Sequence, residues 1–215
     1  MLTLPSEQKD FVEWRQGRTH FAVWALDLDL PVLHQASAEI RVLSGEYWLA
    51  DYLRQPHLTV GLCGFPVANA AQLDDYALAR FTAQCQALLD AAPSPFELEI
   101  GAPDSFTSAA YFSVRDLDGG IENLRRTLSG GAEDSGFIPH VTFGLYREVF
   151  PLPDVLAKLQ ASHVLPPVRL RINKLVLMTY EAAIIGGPLT PLGEFNLATG
   201  RFEILAPELF EAAFA

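Results

Sequence analysis

His57-Leu58-Thr59-Val60-Gly61-Leu62 recurs farther along the chain as His140-Val141-Thr142-Phe143-Gly144-Leu145, 140 − 57 = 83 residues later. His, Thr, Gly and Leu repeat in register, and the two remaining positions are apolar in both copies. β-Branched and aliphatic residues dominate each phrase and a proline precedes each histidine (Pro56, Pro139), so both copies read as strands. Residues two apart on a strand share a face. His57, Thr59 and Gly61 are therefore expected on one face, with His140, Thr142 and Gly144 on its counterpart. Leu58, Val60 and Leu62, like Val141, Phe143 and Leu145, are expected to point into a core. Each copy then offers an imidazole, a hydroxyl and an empty position, a set suited to a small anion. A competing role for Gly61 and Gly144 is to mark bulges.

Working outward, the lead-in of residues 1–17 holds a short helix around Glu7–Trp14, and residues 19–27 form a strand. Pro31 opens a helix through Leu33, Ala36, Ile40 and Leu43 that stops at Gly45. The first histidine strand covers 57–63 and ends at Gly64-Phe65-Pro66. Asn69 is placed to cap a long helix reaching Ala92. A strand follows over 96–100. The order then repeats: strand 107–114, helix 117–128, a break at Gly130-Gly131, the second histidine strand over 138–146, a helix from Pro153, and one long strand from Val168 to Tyr180. A turn at Gly186-Gly187-Pro188, two short strands and a helix from Pro207 complete the chain. The expected fold is α+β and bilobal: two pseudo-symmetric β-sheet lobes with outer helices around a central cleft. The whole of 1–215 reads as one such domain, with lobe halves of roughly 19–106 and 107–205. A two-fold relation between the halves would turn both histidines into the cleft.

Half of the residues are hydrophobic and 19% are charged, ordinary proportions for a globular enzyme. A net charge of −11 and a pI near 4.8 argue against a partner such as long duplex nucleic acid, which demands a broad basic face. A small nucleotide or a short RNA terminus, gripped by a few local donors, suits an acidic surface. Cys63 and Cys85 read as buried thiols rather than a disulfide or metal knuckle. The polar N-terminus lacks the apolar run of a signal peptide, and no membrane span is visible. A cytoplasmic monomer is expected.

Two imidazoles facing one phosphodiester can divide an in-line displacement, one taking a proton from the attacking water and the other giving one to the leaving oxygen. Thr59 and Thr142 can donate to the non-bridging oxygens. This scheme needs no metal and no cofactor. The paired His-x-Thr-x phrases, with Gly64 after the first and Pro139 before the second, resemble those of the two-histidine (2H) phosphoesterase superfamily, which includes the RNA 2′,3′-cyclic phosphodiesterases also called 2′-5′ RNA ligases. The resemblance spans roughly residues 19–197. It implies a bilobal α+β fold with a central groove, no cofactor, His57 and His140 as catalytic residues, and hydrolysis of a cyclic phosphate on a nucleotide or RNA end. Alternatives are 2′-5′ RNA ligation by the same groups and a non-catalytic nucleotide-binding module. RNA-ligase-like members carry Arg five residues after the second histidine, where this chain has Leu145; Arg147, two residues on, is the substitute candidate for substrate contact.

Phe65, Tyr146 and Tyr180 are further candidates, for stacking on a base. Lys174, Arg169 and Arg171 read either as a phosphate grip or as a solvated strand face. His20, His34 and His163 have no matching context and read as surface or satisfied core residues. Asp27, Asp29, Asp116 and Asp118 lack the histidine clustering of a metal site.

Overall fold

The two histidine strands fall in different sheets. The computed structural model of the protein describes residues 1–131, 136–162 and 166–215. In chain order, a short helix α1 (Val12–Arg15) precedes strand β1 (His20–Asp27), helix α2 (Pro31–Leu43) and the first histidine strand β2 (His57–Val67), followed by β3 (Asp75–Ala77) and α3 (Leu78–Ala91). Next come β4 (Phe96–Ser105), β5 (Ala109–Asp116), α4 (Gly120–Leu128), the second histidine strand β6 (His140–Leu145) and α5 (Leu152–Ala161). Strands β7 (Val168–Ile172), β8 (Lys174–Glu181), β9 (Thr190–Asn196) and β10 (Arg201–Ile204) lead to α6 (Pro207–Ala213). One sheet has six strands in the order β10-β9-β8-β1-β2-β3, the other four in the order β6-β5-β4-β7. This is the α+β, bilobal arrangement expected.

The sheets do not divide the chain near residue 106. Strand β4 belongs to the second sheet, while β8, β9 and β10 return to the first, so one lobe draws on both ends of the chain. The strand expected to run unbroken from Val168 to Tyr180 is two strands in two sheets: β7 pairs only with β4, and β8 lies between β1 and β9. Arg169 and Arg171 alternate with apolar residues up to Ile172, and two successive polar residues, Asn173 and Lys174, stand where the chain changes sheet.

The helix expected to start at Asn69 begins at Leu78 instead. The Asp75 carboxylate accepts from the backbone N–H groups of Ala71 and Gln72, both at 2.8 Å, and pairs with Arg18. Those bonds hold residues 71–75 as a turn, and β3 adds in parallel to β2. Leu73, expected on the apolar stripe, is fully exposed. Strand β2 correspondingly runs four residues past the expected end, through Gly64, whose φ is +122° and whose absent side chain leaves room for the Asp74 carbonyl oxygen. Gly64→Ala would add strain and overlap with backbone that cannot swing away. We expect a loss of about 2–4 kcal/mol in urea unfolding, and a loss under 0.5 kcal/mol would contradict it.

One buried cluster joins the lobes behind the cleft. It includes Trp24 and Phe112 from the sheets together with Leu58, Val60, Val141 and Phe143 from the back of both histidine strands. Each such side chain contributes about 1.5–3 kcal/mol on burial, so the apolar back of each strand fixes what its front can present. Inside this cluster Gln84 satisfies a polar network: its Oε1 accepts from Trp24 Nε1 (2.9 Å) and the Tyr76 hydroxyl (2.6 Å), and its Nε2 donates to the Leu128 carbonyl (3.0 Å). Among the described residues no helix is long and apolar enough to cross a membrane.

Candidate active site

Both motifs carry a β-bulge at the same place. In β2 the pairing with β1 skips Val60, and in β6 the pairing with β5 skips Phe143; each is the residue after the threonine. A bulge reverses strand parity beyond it. A Cβ on Gly61 would point at Leu128, and one on Gly144 would come within 2.7 Å of the Trp48 ring. Neither glycine therefore provides empty space beside its threonine, and at Gly144 the missing side chain lets Trp48 close against the bulge. Arg125 of α4 donates to the Val60 carbonyl at 2.7 Å, satisfying an acceptor that the bulge leaves unpaired. Beyond the bulges, Leu62 is exposed rather than in the core, and Leu145 turns into the cleft.

The cleft has a volume of about 470 Å³, within the range of small-molecule sites. His57, Thr59, His140 and Thr142 all line it. The imidazoles are held alike. His57 Nδ1 lies 2.8 Å from the Gln55 carbonyl and His140 Nδ1 lies 2.7 Å from the Ile138 carbonyl, each two residues upstream. A carbonyl can only accept, so Nδ1 carries the hydrogen and Nε2 is left for the cleft. The rings differ in surroundings. His57 is 9% exposed, and burial pushes it down to about 4; the Gln55 bond opposes that shift, while the charges of Arg54 and His140 reinforce it. His140 is more open and is braced edge-on by the Phe106 ring at 4.9 Å.

A histidine whose folded pKa (about 4) lies below the unfolded one (about 6.5) leaves the unfolded chain binding more protons between those values. Its contribution to stability is complete above pH 6.5 and is lost as pH falls toward 4. The shift corresponds to about 3 kcal/mol. His57→Asn is expected to flatten the urea-unfolding free energy between pH 6.5 and 4 by about this amount relative to the wild type; parallel pH dependences would contradict it.

Of the other candidates, Tyr180 lines the cleft. Phe65 does not: it is fully buried, covered by Trp14 (4.8 Å) and by the Arg18 guanidinium (3.9 Å). Tyr146 is also fully buried, with its hydroxyl on Ser105 Oγ and its ring stacked on Trp48, so neither ring can meet a base. Arg147 lies outside the cleft lining, half-exposed beside Glu148. Lys174 pairs with Glu194, Arg169 with Glu99, and neither of these nor Arg171 lines the cleft. Asp116 caps α4 by accepting from the N–H groups of Gly120, Ile121 and Glu122. His34 pairs with Asp29 and His20 contacts Thr19, as surface histidines do; His163 lies outside the described residues.

Sequence reading missed Arg54. Among the described residues it is the one Lys or Arg lining the cleft. Its Nε donates to the Gly187 carbonyl (3.0 Å) and its guanidinium stacks 4.0 Å over Tyr180. Tyr52, beside it, donates to the Thr142 carbonyl (3.3 Å) and ties the connector to the second motif.

The fold is similar to that of solved structures of Escherichia coli LigT. These include its complex with 3′-AMP (17% identity, TM-score 0.53, covering 85% of this chain and 99% of that one) and its apo form (15%, 0.52, 84% and 98%). The complex with ATP gives 18% identity and a TM-score of 0.50, covering 84% of this chain and 99% of that one. No curated protein sequence matches the chain. The sequence profile of the 2′-5′ RNA ligase superfamily matches residues 31–183, which is well over half of the chain and contains both His-x-Thr phrases. Repeated motif, bilobal fold and profile agree, and the chain belongs to the 2′-5′ RNA ligase superfamily.

Proposed function

We propose that this protein is a metal-independent phosphodiesterase that opens a 2′,3′-cyclic phosphate on a nucleotide or a short RNA end. The observation that carries this reading is the matched tethering of two imidazoles, each fixed through Nδ1 to a carbonyl, around one cleft of nucleotide size. His57, kept neutral by burial, takes a proton from water through Nε2. The water oxygen bonds to phosphorus, and the bond from phosphorus to one ribose oxygen breaks in line. His140, as the general acid, gives its Nε2 proton to that oxygen, and the product is a ribose phosphomonoester. The hydroxyls of Thr59 and Thr142 and the Arg54 guanidinium neutralise charge gathering on the non-bridging oxygens. The 3′-AMP and ATP held by Escherichia coli LigT support a nucleotide-sized ligand.

The test is turnover of adenosine 2′,3′-cyclic phosphate. Activity is expected to persist in EDTA, with the acid limb of kcat/KM near pH 4, where His57 takes up its proton. Because the same groups serve ligation, RNA halves bearing a 2′,3′-cyclic phosphate and a 5′-hydroxyl are supplied in parallel. Joined product as the main outcome would replace hydrolysis by ligation. Tight nucleotide binding with no turnover of either substrate would leave a binding module.

A further inference from the structure

The N-terminal segment is a strap between the lobes, and it passes the mouth of the cleft. At one end it is sewn to the segment around β6. Thr3 is buried, its N–H donates to the Phe150 carbonyl (2.9 Å) and its Oγ1 to the Glu148 carbonyl (3.0 Å). Leu4 N–H donates to Thr107 and Ser6 N–H to Tyr146. At the other end Arg18 forks onto Asp74 and Asp75, beside β3 of the other sheet. Between these anchors lie Phe11 and Trp14, and both line the cleft that holds His57 and His140. The strap precedes the part of the chain matched by the superfamily profile.

Trp14 is 39% exposed, whereas Trp24 and Trp48 are buried. Its ring is backed by Phe21 (5.4 Å) and Phe65 (4.8 Å), and Phe21 in turn touches Tyr180 (5.7 Å), which carries Arg54 on its face. The cleft therefore has an acid–base and cationic floor for a phosphate and, in the same cavity, an aromatic wall with one large ring left partly uncovered. An uncharged flat ring attached to the phosphate through a sugar is the ligand chemistry that uses both.

Resting on the phosphodiesterase reading above, we propose that Phe11 and Trp14 form a nucleobase-stacking wall, so that the strap selects base-bearing cyclic phosphates over the bare sugar phosphate. Stacking on an aromatic side chain is tolerant of base identity, with purines favoured by their larger face.

The experiment compares kcat/KM for adenosine 2′,3′-cyclic phosphate with that for 1-O-methylribose 2,3-cyclic phosphate, which lacks the base. The wild-type ratio is expected at about 5- to 150-fold, the effect of one stacked base. Trp14→Leu should bring the ratio close to one and Phe11→Leu should lower it, while Trp14→Phe, which keeps an aromatic face, should retain most of it. A wild-type ratio near one, or a ratio unmoved in both leucine variants, overturns the proposal and leaves the phosphodiesterase reading standing. If neither compound is turned over, that reading falls and stacking is judged by binding alone. Adenosine 2′-monophosphate should then quench the fluorescence of the exposed Trp14 and 1-O-methylribose 2-phosphate should not, with the quench absent from Trp14→Phe; no quench in the wild type overturns the stacking wall as well.

Discussion

Replacing His57 or His140 by alanine is expected to lower kcat on adenosine 2′,3′-cyclic phosphate by about 10²–10⁴-fold each, the usual worth of one positioned proton-transfer group. The double variant should be little worse than either single one, because the two groups act in one step. Their roles separate on a substrate whose leaving group needs no proton. With a p-nitrophenyl phosphodiester, His140→Ala should recover most of its lost rate and His57→Ala should not. The assignment follows from burial: an imidazole pushed down to about 4 enters the reaction neutral at pH 7 and can only accept. The opposite rescue pattern would exchange the two roles. Full activity in both alanine variants would remove the acid–base scheme altogether.

Arg54→Ala is expected to cost about 10²–10³-fold in kcat/KM, the scale seen when a preorganised donor to a developing oxyanion is removed. Two features preorganise this side chain. The Gly187 carbonyl fixes its Nε, and the Tyr180 face fixes the plane of the guanidinium. A lysine at 54 would bring the charge but neither the fork nor the stack, so Arg54→Lys should restore only a minor part of the loss. Arg147→Ala serves as the control, since its guanidinium sits beside Glu148 outside the cleft lining, and its kcat/KM should stay within about two-fold of wild type. A large effect at Arg147 with none at Arg54 would mean that the phosphate is gripped from the other side.

The features that were legible in the sequence are those that depend on near neighbours along the chain. The helix from Pro31 to Leu43 follows from its opening proline and its apolar spacing, and it was found with the bounds expected. The repeat pointed to two strands because each carries its own β-branched pattern, and the structure brings both His-x-Thr pairs to one cavity. What escaped depends on partners distant in sequence. The bulges at Val60 and Phe143 exist only in the pairing with β1 and β5, and they are why parity misplaced Gly61, Leu62, Gly144 and Leu145. The polar pair Asn173-Lys174 interrupts the alternation, but that the strands on either side join different sheets is decided by their partners. Phe65 and Tyr146 were plausible stacking residues until the strap and the connector covered them. Arg54 lies in a connector with no periodicity, three residues before the first histidine; its stacking partner Tyr180 is far along the chain.

The interleaving of the sheets also dictates a timetable. Strands β4 to β7 are contiguous, so as the chain leaves the ribosome the second sheet has all of its parts once residue 172 has emerged. The first sheet has β1, β2 and β3 early, yet the far side of β1 waits for β8, which begins only at Lys174. Until then the nascent protein holds an open apolar edge, the kind that invites chaperone binding or misassembly, beside a neighbour already able to assemble. A pause in translation once residue 172 has emerged would prolong that exposure, whereas one after Glu181 has emerged would not.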